Sequence, residues 1–278
     1  MEKSRSPRFS RFGPVVLACA AFWPVMLGKA SAEPVPVHHP EGTVHGFLSL
    51  STAGGRVLAA GDLLQVVDGD RVTSHLVFHF KDGSIDDEIT IFSQKDNFRL
   101  ISYHRVQKGP FFPTAIDMVI DAASGRVTVR SQKKNGKEEL KSEDMNLPED
   151  LSNGLVTAIA KNLDPGVSQT KMPMIVATPA PRLITLTFSP SGTHAYSLAG
   201  ERRKALGYRI KVELGGLAGA LAPLLGKAPP DVHMWVIGGE VPTFIREEGP
   251  IYAQGPILTI QLASPVWPGS PPSKPRKH

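Results

Sequence analysis

The stretch VTSHLVFHF (72–80), followed by KDG (81–83) and then EITIF (88–92), sets the fold class. Leu76, Phe78 and Phe80 recur at every second position, so they lie on one face of a strand whose other face carries His75, Val77 and His79. Asp82-Gly83 supplies the positive φ that a tight hairpin turn needs, and two strands joined so closely must run antiparallel.

The same alternation and punctuation extend through the first half of the chain. Gly54-Gly55, Asp68-Gly69, Lys95-Asp96, the corner from Gly109 to Pro113, Ser124-Gly125 and Asn135-Gly136 separate further runs of β-formers. These runs are Val44–Leu50, Arg56–Val67, Asn97–Gln107, Met118–Ile120 and Arg126–Arg130, and they predict an up-and-down meander. Phe98 and Leu100 share a face of one of them. Pro148–Leu163 predicts the one main helix: proline opens it, Glu149 and Asp150 sit at its positive end, and Leu151, Leu155 and Ile159 form a stripe. Strands resume at Met172–Ala177, Leu183–Phe188, Tyr208–Leu214, Val232–Ile237, Thr243–Glu247 and Ile257–Leu262. The reading is a mainly β protein of about twelve strands, a large curved antiparallel sheet with the helix packed on a face.

Residues 1–32 read as an export signal. Lys3, Arg5, Arg8 and Arg11 precede an apolar run from Gly13 to Leu27, and Ala30-Ser31-Ala32 offers a small-residue cleavage site before Glu33. A periplasmic or secreted location is expected. The run is shorter than the roughly 20 residues of a spanning helix and carries Pro14 and Pro24. Cleavage after Ala32 removes Cys19, the sole cysteine, and with it disulfides and thiolate chemistry; lipidation at Cys19 is the competing outcome. It also lowers the 31 bases and 26 acids of the chain to 26 and 25, and three of those remaining bases belong to the proline-rich segment 264–278. The body has no basic excess, which argues against nucleic-acid binding. Residues 33–41 and 264–278 read as flexible ends around a single β-rich domain, 42–263.

Motifs for chemistry are sparse. His75 and His79 are about 13 Å apart along their strand, too far to grip one ion together. Asp86, Asp87 and Glu88 read as a solvated turn and charged strand edge, although a carboxylate from another segment joining one of them stays open. There is no Gly-x-Ser-x-Gly elbow and no His-Glu-x-x-His pair, and the glycines at 215, 216 and 219 lack a βαβ context. No catalytic residue, metal or cofactor is assigned.

The most unusual segment is Leu214–Leu225, which carries no charged or hydrogen-bonding side chain. It reads either as a short buried helix or as an apolar lid or membrane-contact loop, with Leu217, Leu221 and Leu224 as its large groups. Tyr208–Leu214, this insert, Val232–Val236, Val241–Phe244 and Gly255–Leu262 together resemble the closing strands of an uncharacterised exported bacterial family. That family shares the incomplete barrel with a helical plug of periplasmic lipoprotein and lipid carriers. The resemblance implies a half-barrel whose concave face holds a lipid or other apolar small molecule; peripheral membrane contact is the expectation from the uncharged segment Leu214–Leu225. Leu76, Phe78, Phe80, Phe98, Leu100 and Trp235, with Leu217, Leu221 and Leu224, are its candidate ligand contacts; in the plainer reading, those on strands form the core between sheet and helix. Two other functions stand beside the carrier: a structural or interaction protein of the envelope, and a hydrolase with a dispersed site.

Overall fold

A computed structural model describes residues 34–177, 180–198, 200–215 and 228–264. Fourteen strands form one antiparallel sheet: β1 (Val44–Thr52), β2 (Val57–Asp68), β3 (Arg71–Phe80), β4 (Ile85–Ser93), β5 (Arg99–Lys108), β6 (Thr114–Asp121), β7 (Arg126–Lys133), β8 (Glu138–Asp144), β9 (Thr170–Ala177), β10 (Pro181–Leu198), β11 (Glu201–Glu213), β12 (Val232–Ile237), β13 (Thr243–Gly249) and β14 (Leu258–Leu262). The hairpin at Asp82-Gly83 forms as expected, with Gly83 at φ 84°. Two expectations fall short: the strands number fourteen, and β8 was not foreseen, because Glu138–Asp144 is charged throughout and almost wholly exposed.

Strand order across the sheet is β8-β7-β6-β5-β4-β3-β2-β1-β14-β13-β12-β11-β10-β9. This is the chain order taken cyclically, joined through β1 and β14 and left open only between β8 and β9. The segment that connects those two edge strands runs through the interior. Ser152 donates from N and Oγ to the Pro173 carbonyl at 2.8 and 2.7 Å, and Asn153 exchanges two bonds with the backbone of Ile175 at 2.8 and 2.9 Å. The open side of β9 is thus met at Pro173 and Ile175 by the backbone amide and side chain of Ser152 and the side chain of Asn153, and not by another strand.

The helix α1 spans only Val156–Asn162, not Pro148–Leu163. Gly154 is the cause: its φ is +68°, outside the helical region, and a Cβ there would overlap Thr90 Oγ1. The stripe nonetheless does what its pattern required. Leu151, Leu155 and Ile159 are fully buried in one core with Phe92, Tyr103, Ile120, Phe188, Tyr208 and Met234, contributed by strands from both halves of the sheet. A second core is built on Leu48, Leu50, Phe78, Phe80, Phe112 and Leu258, and Phe244 packs against both.

Residues 34–41, expected to be flexible, are tied down. Val35 is buried, Asn162 Oδ1 accepts from the amides of His38 and His39 at 2.8 and 2.7 Å, and Glu41 pairs with Lys161 at 2.5 Å. Gln65 and Gln94 bond the same short segment from β2 and the end of β4.

The segment Leu151–Asn162, which fills the first core and is called the plug below, should be the mechanical centre of the domain. Leu155→Ala is expected to cost about 2–5 kcal/mol in urea denaturation. Gly154→Ala should destabilise clearly more than Gly136→Ala, whose φ is also positive at 79° but whose Cβ would meet nothing within 4 Å. Adding Thr90→Ala should recover part of the Gly154→Ala loss, because it removes the overlapping atom.

Candidate functional site

Between the two apolar cores the interior carries charge. On β4 the residues facing inward are Asp86, Glu88, Thr90 and Phe92, and across the ladder Glu88 pairs with Arg105 and Asp86 with Gln107 on β5. The acidic triplet is therefore not a solvated edge. Asp87 alone points outward, where it meets His75 Nε2 at 2.9 Å; His104 likewise meets Asp117 at 2.9 Å. These histidines are hydrogen-bonded surface groups, and among the described residues no cluster of three potential ligands could hold a metal ion.

Asp86 is bonded to the guanidinium of Arg105 through both oxygens, at 2.9 and 2.8 Å, and accepts from Gln107 Nε2 at 2.9 Å. Arg105 and Gln107 both reach the Ile251 carbonyl, at 3.2 and 2.9 Å. Tyr103 donates to Glu88 at 2.8 Å, and Arg105 lies 3.9 Å from the same carboxylate. Bidentate geometry and full hydrogen bonding are what make a buried ion pair tolerable.

Glu247 on β13 completes the belt and has no hydrogen-bond or ion-pair partner among the described residues. Burial, reinforced by the charge of Glu88 and opposed by Arg105, raises its carboxyl to about 7. Burial also lifts Glu88, against the pull of Arg105 and Tyr103. The Tyr103 phenol is pushed well above its ordinary range by burial and by Glu88. For Arg105, burial works against the charge, but Asp86, Tyr103 and Glu88 outweigh it and hold the guanidinium protonated. Three carboxyls thus share one cation, so the belt is net negative whenever Asp86 and Glu88 are ionised. The Asp86 side chain is 5% exposed, whereas Glu88 and Arg105 retain 21% and 29%. Glu88 and Arg105 thus keep some accessible surface, whereas the apolar residues of the two cores are buried.

No protein-family model matches this chain, and no curated protein is similar to it. Among solved structures, it is similar to a β-barrel-like protein of a domain of unknown function, DUF1849, from Brucella abortus. The likeness has a TM-score of 0.42 at 9% identity and covers 84% of this chain and 98% of that one.

The candidate ligand contacts separate into different places. Leu76, Phe78 and Phe80 belong to the core that contains Phe112, and Phe98 and Leu100 belong to the core around the plug. Phe78, Phe80, Phe98 and Leu100 are all buried and packed, not spread along an open groove. Trp235 points away from both: its strand neighbours Met234 and Val236 face inward, and Trp235 stacks on His233 and meets the edge of His194. Leu217, Leu221 and Leu224 lie outside the described residues. Two shallow surface concavities, of about 280 and 340 Å³, involve none of these side chains. The residues that the sequence reading missed are Tyr103, Arg105, Gln107 and Glu247. Their signal was parity, since Glu88 and Asp86 stand two and three steps of two residues from the outward-in pattern anchored by Phe92.

Glu247 binds its proton more tightly in the folded chain than in the unfolded one. Its contribution to stability is therefore complete below the ordinary glutamate value of about 4.3 and is lost as pH rises through about 7. Glu247→Gln should remove much of the decline in melting temperature across that window and leave the variant more stable than wild type at pH 8. Arg105→Met, which leaves Asp86 buried without its cation, should cost about 3–5 kcal/mol, and Asp86→Asn in the same chain should return part of it.

Proposed function

We propose that the protein is a non-enzymatic binding protein of the bacterial envelope that takes an amphipathic ligand into the interior of its rolled sheet. The observation that carries this reading is the belt: charged side chains with accessible surface, enclosed between two packed apolar layers. A protein that needed only a stable interior would gain from filling that level with carbon, because buried ion pairs are a weak source of stability. The belt instead keeps three carboxyls around one arginine and leaves Glu247 without a hydrogen-bond or ion-pair partner among the described residues. Such a level suits a ligand whose apolar body rests against Leu76 and its neighbours while a cationic or hydrogen-donating group meets Glu88 and Glu247. The export signal read in residues 1–32 and the sequence resemblance to envelope lipid carriers are what support the proposed location and ligand class.

Native mass spectrometry and lipid extraction of the protein purified from its own envelope should recover a bound amphipath. In displacement of a fluorescent apolar probe at pH 8, a long-chain alkylamine should compete about tenfold better than the fatty acid of equal length, since the belt attracts one head group and repels the other. Glu88→Gln with Glu247→Gln should erase that preference. A protein that takes up no probe and yields no extractable ligand would overturn the reading.

A further inference from the structure

The hairpin of β10 and β11 outruns its neighbours. β9 pairs with β10 only from Pro181 to Phe188, and β12 pairs with β11 only from Leu206 to Ile210. From Ser189 to Ala205 the two strands form a ribbon and pair only with each other among the described residues, and β10 also comes near β7 and β8. Its base is firmly built. The register slips between Pro190 and Gly192, a Cβ on Gly207 would lie 2.5 Å from Ser191 Oγ, and the His194 ring stands edge-on to Trp235 at 5.9 Å.

β12 stops beside Leu206 because the chain turns away at Gly238 and Gly239, the latter at φ 111°. No described residue occupies the strand position next to Glu201–Ala205. The concavity of about 340 Å³ lies there, lined by Tyr196, Glu201, Arg202, Arg203, Lys204 and Ile237. Arg202, Arg203 and Lys204 are exposed and have no acidic partner among the described residues, whereas Arg209 and Lys211 farther along the same strand lie near Asp231 and Glu213. The Tyr196 hydroxyl beside them is buried and makes no hydrogen bond.

We propose that this strand position receives an extended, acidic segment of a partner polypeptide, which adds as a strand along residues 201–205 of β11. The backbone edge supplies the hydrogen bonds that every added strand uses, over a length of about 17 Å. The three cations select the occupant: they repel the same ribbon on a second copy, the usual hazard of an open edge, and attract carboxylates. A flat anionic membrane would neutralise the side chains but leave the edge amides unused. None of these residues belongs to the interior belt, so this site stands or falls independently of the ligand proposed above.

The test uses the exported chain and a labelled peptide of alternating Glu and Val, its copy N-methylated at alternate amides, and vesicles of phosphatidylglycerol with phosphatidylcholine. The peptide should bind and slow amide exchange at 201–205. Arg202→Gln with Lys204→Gln, which alters exposed side chains alone and should leave the melting temperature unchanged, should weaken it about tenfold. The N-methylated copy should fail to bind. Equal binding of the N-methylated peptide, unaltered exchange at 201–205, or binding of vesicles without binding of peptide would overturn the proposal.

Discussion

The two bonds between Asn153 and the backbone of Ile175, with those from Ser152 to Pro173, stand where a closing strand would otherwise be needed. A sheet whose order is cyclic but whose β8 and β9 do not pair has two edges to satisfy, and side-chain amides and hydroxyls are a compact means of satisfying one. Once the connecting segment is held there, its apolar residues have only the interior to enter. Leu151, Leu155 and Ile159 then become the contact between strands that are remote in sequence. Gly154 makes that entry possible, since its positive φ turns the chain and its bare Cα admits Thr90.

From that arrangement the interior acquires layers. The plug fills one level with carbon, the aromatic groups Phe80, Phe111, Phe112 and Tyr252 fill another, and the level between is left to Asp86, Glu88, Arg105 and Glu247. The same short segment that forms α1 also fixes the chain start, through Asn162 to His38 and His39 and Lys161 to Glu41. A seven-residue helix with no side-chain cap owes its persistence to these tertiary contacts, not to its propensity.

What the sequence disclosed follows the strength of each local signal. Strands with alternating apolar residues and Asp-Gly or Asn-Gly turns were legible, as in β3 and its hairpin to β4, because period two and positive φ are properties of a few adjacent residues. β8 was not, since Glu138–Asp144 buries almost nothing and forms only because β7 offers it a ladder. The helix was overextended because Leu151, Leu155 and Ile159 keep a four-residue spacing whether or not the backbone between them is helical. Asp86 and Glu88 were misplaced for a related reason. Adjacent residues in a strand do face apart, but these two are separated by two, and their parity with Phe92 puts both inside. Glu247 could not be joined to them from sequence, since the contact depends on β1 and β14 bringing the two halves of the sheet together.

The two clusters of charge in this protein obey opposite electrostatic limits. Inside, Arg105 is held by Asp86 and Gln107 in fixed geometry, so its charge is spent within the fold and the excess is negative, focused by the low-dielectric layers above and below. Outside, Arg202, Arg203 and Lys204 sit in high dielectric, where they cost little to leave unpaired and add little to stability. Folding therefore explains the pairing of Arg105 but gives no reason for three consecutive cations that have no acidic partner, on a strand edge with no paired neighbour, among the described residues. An isolated two-stranded ribbon is marginal in water, and it gains most from a third strand whose charges it lacks.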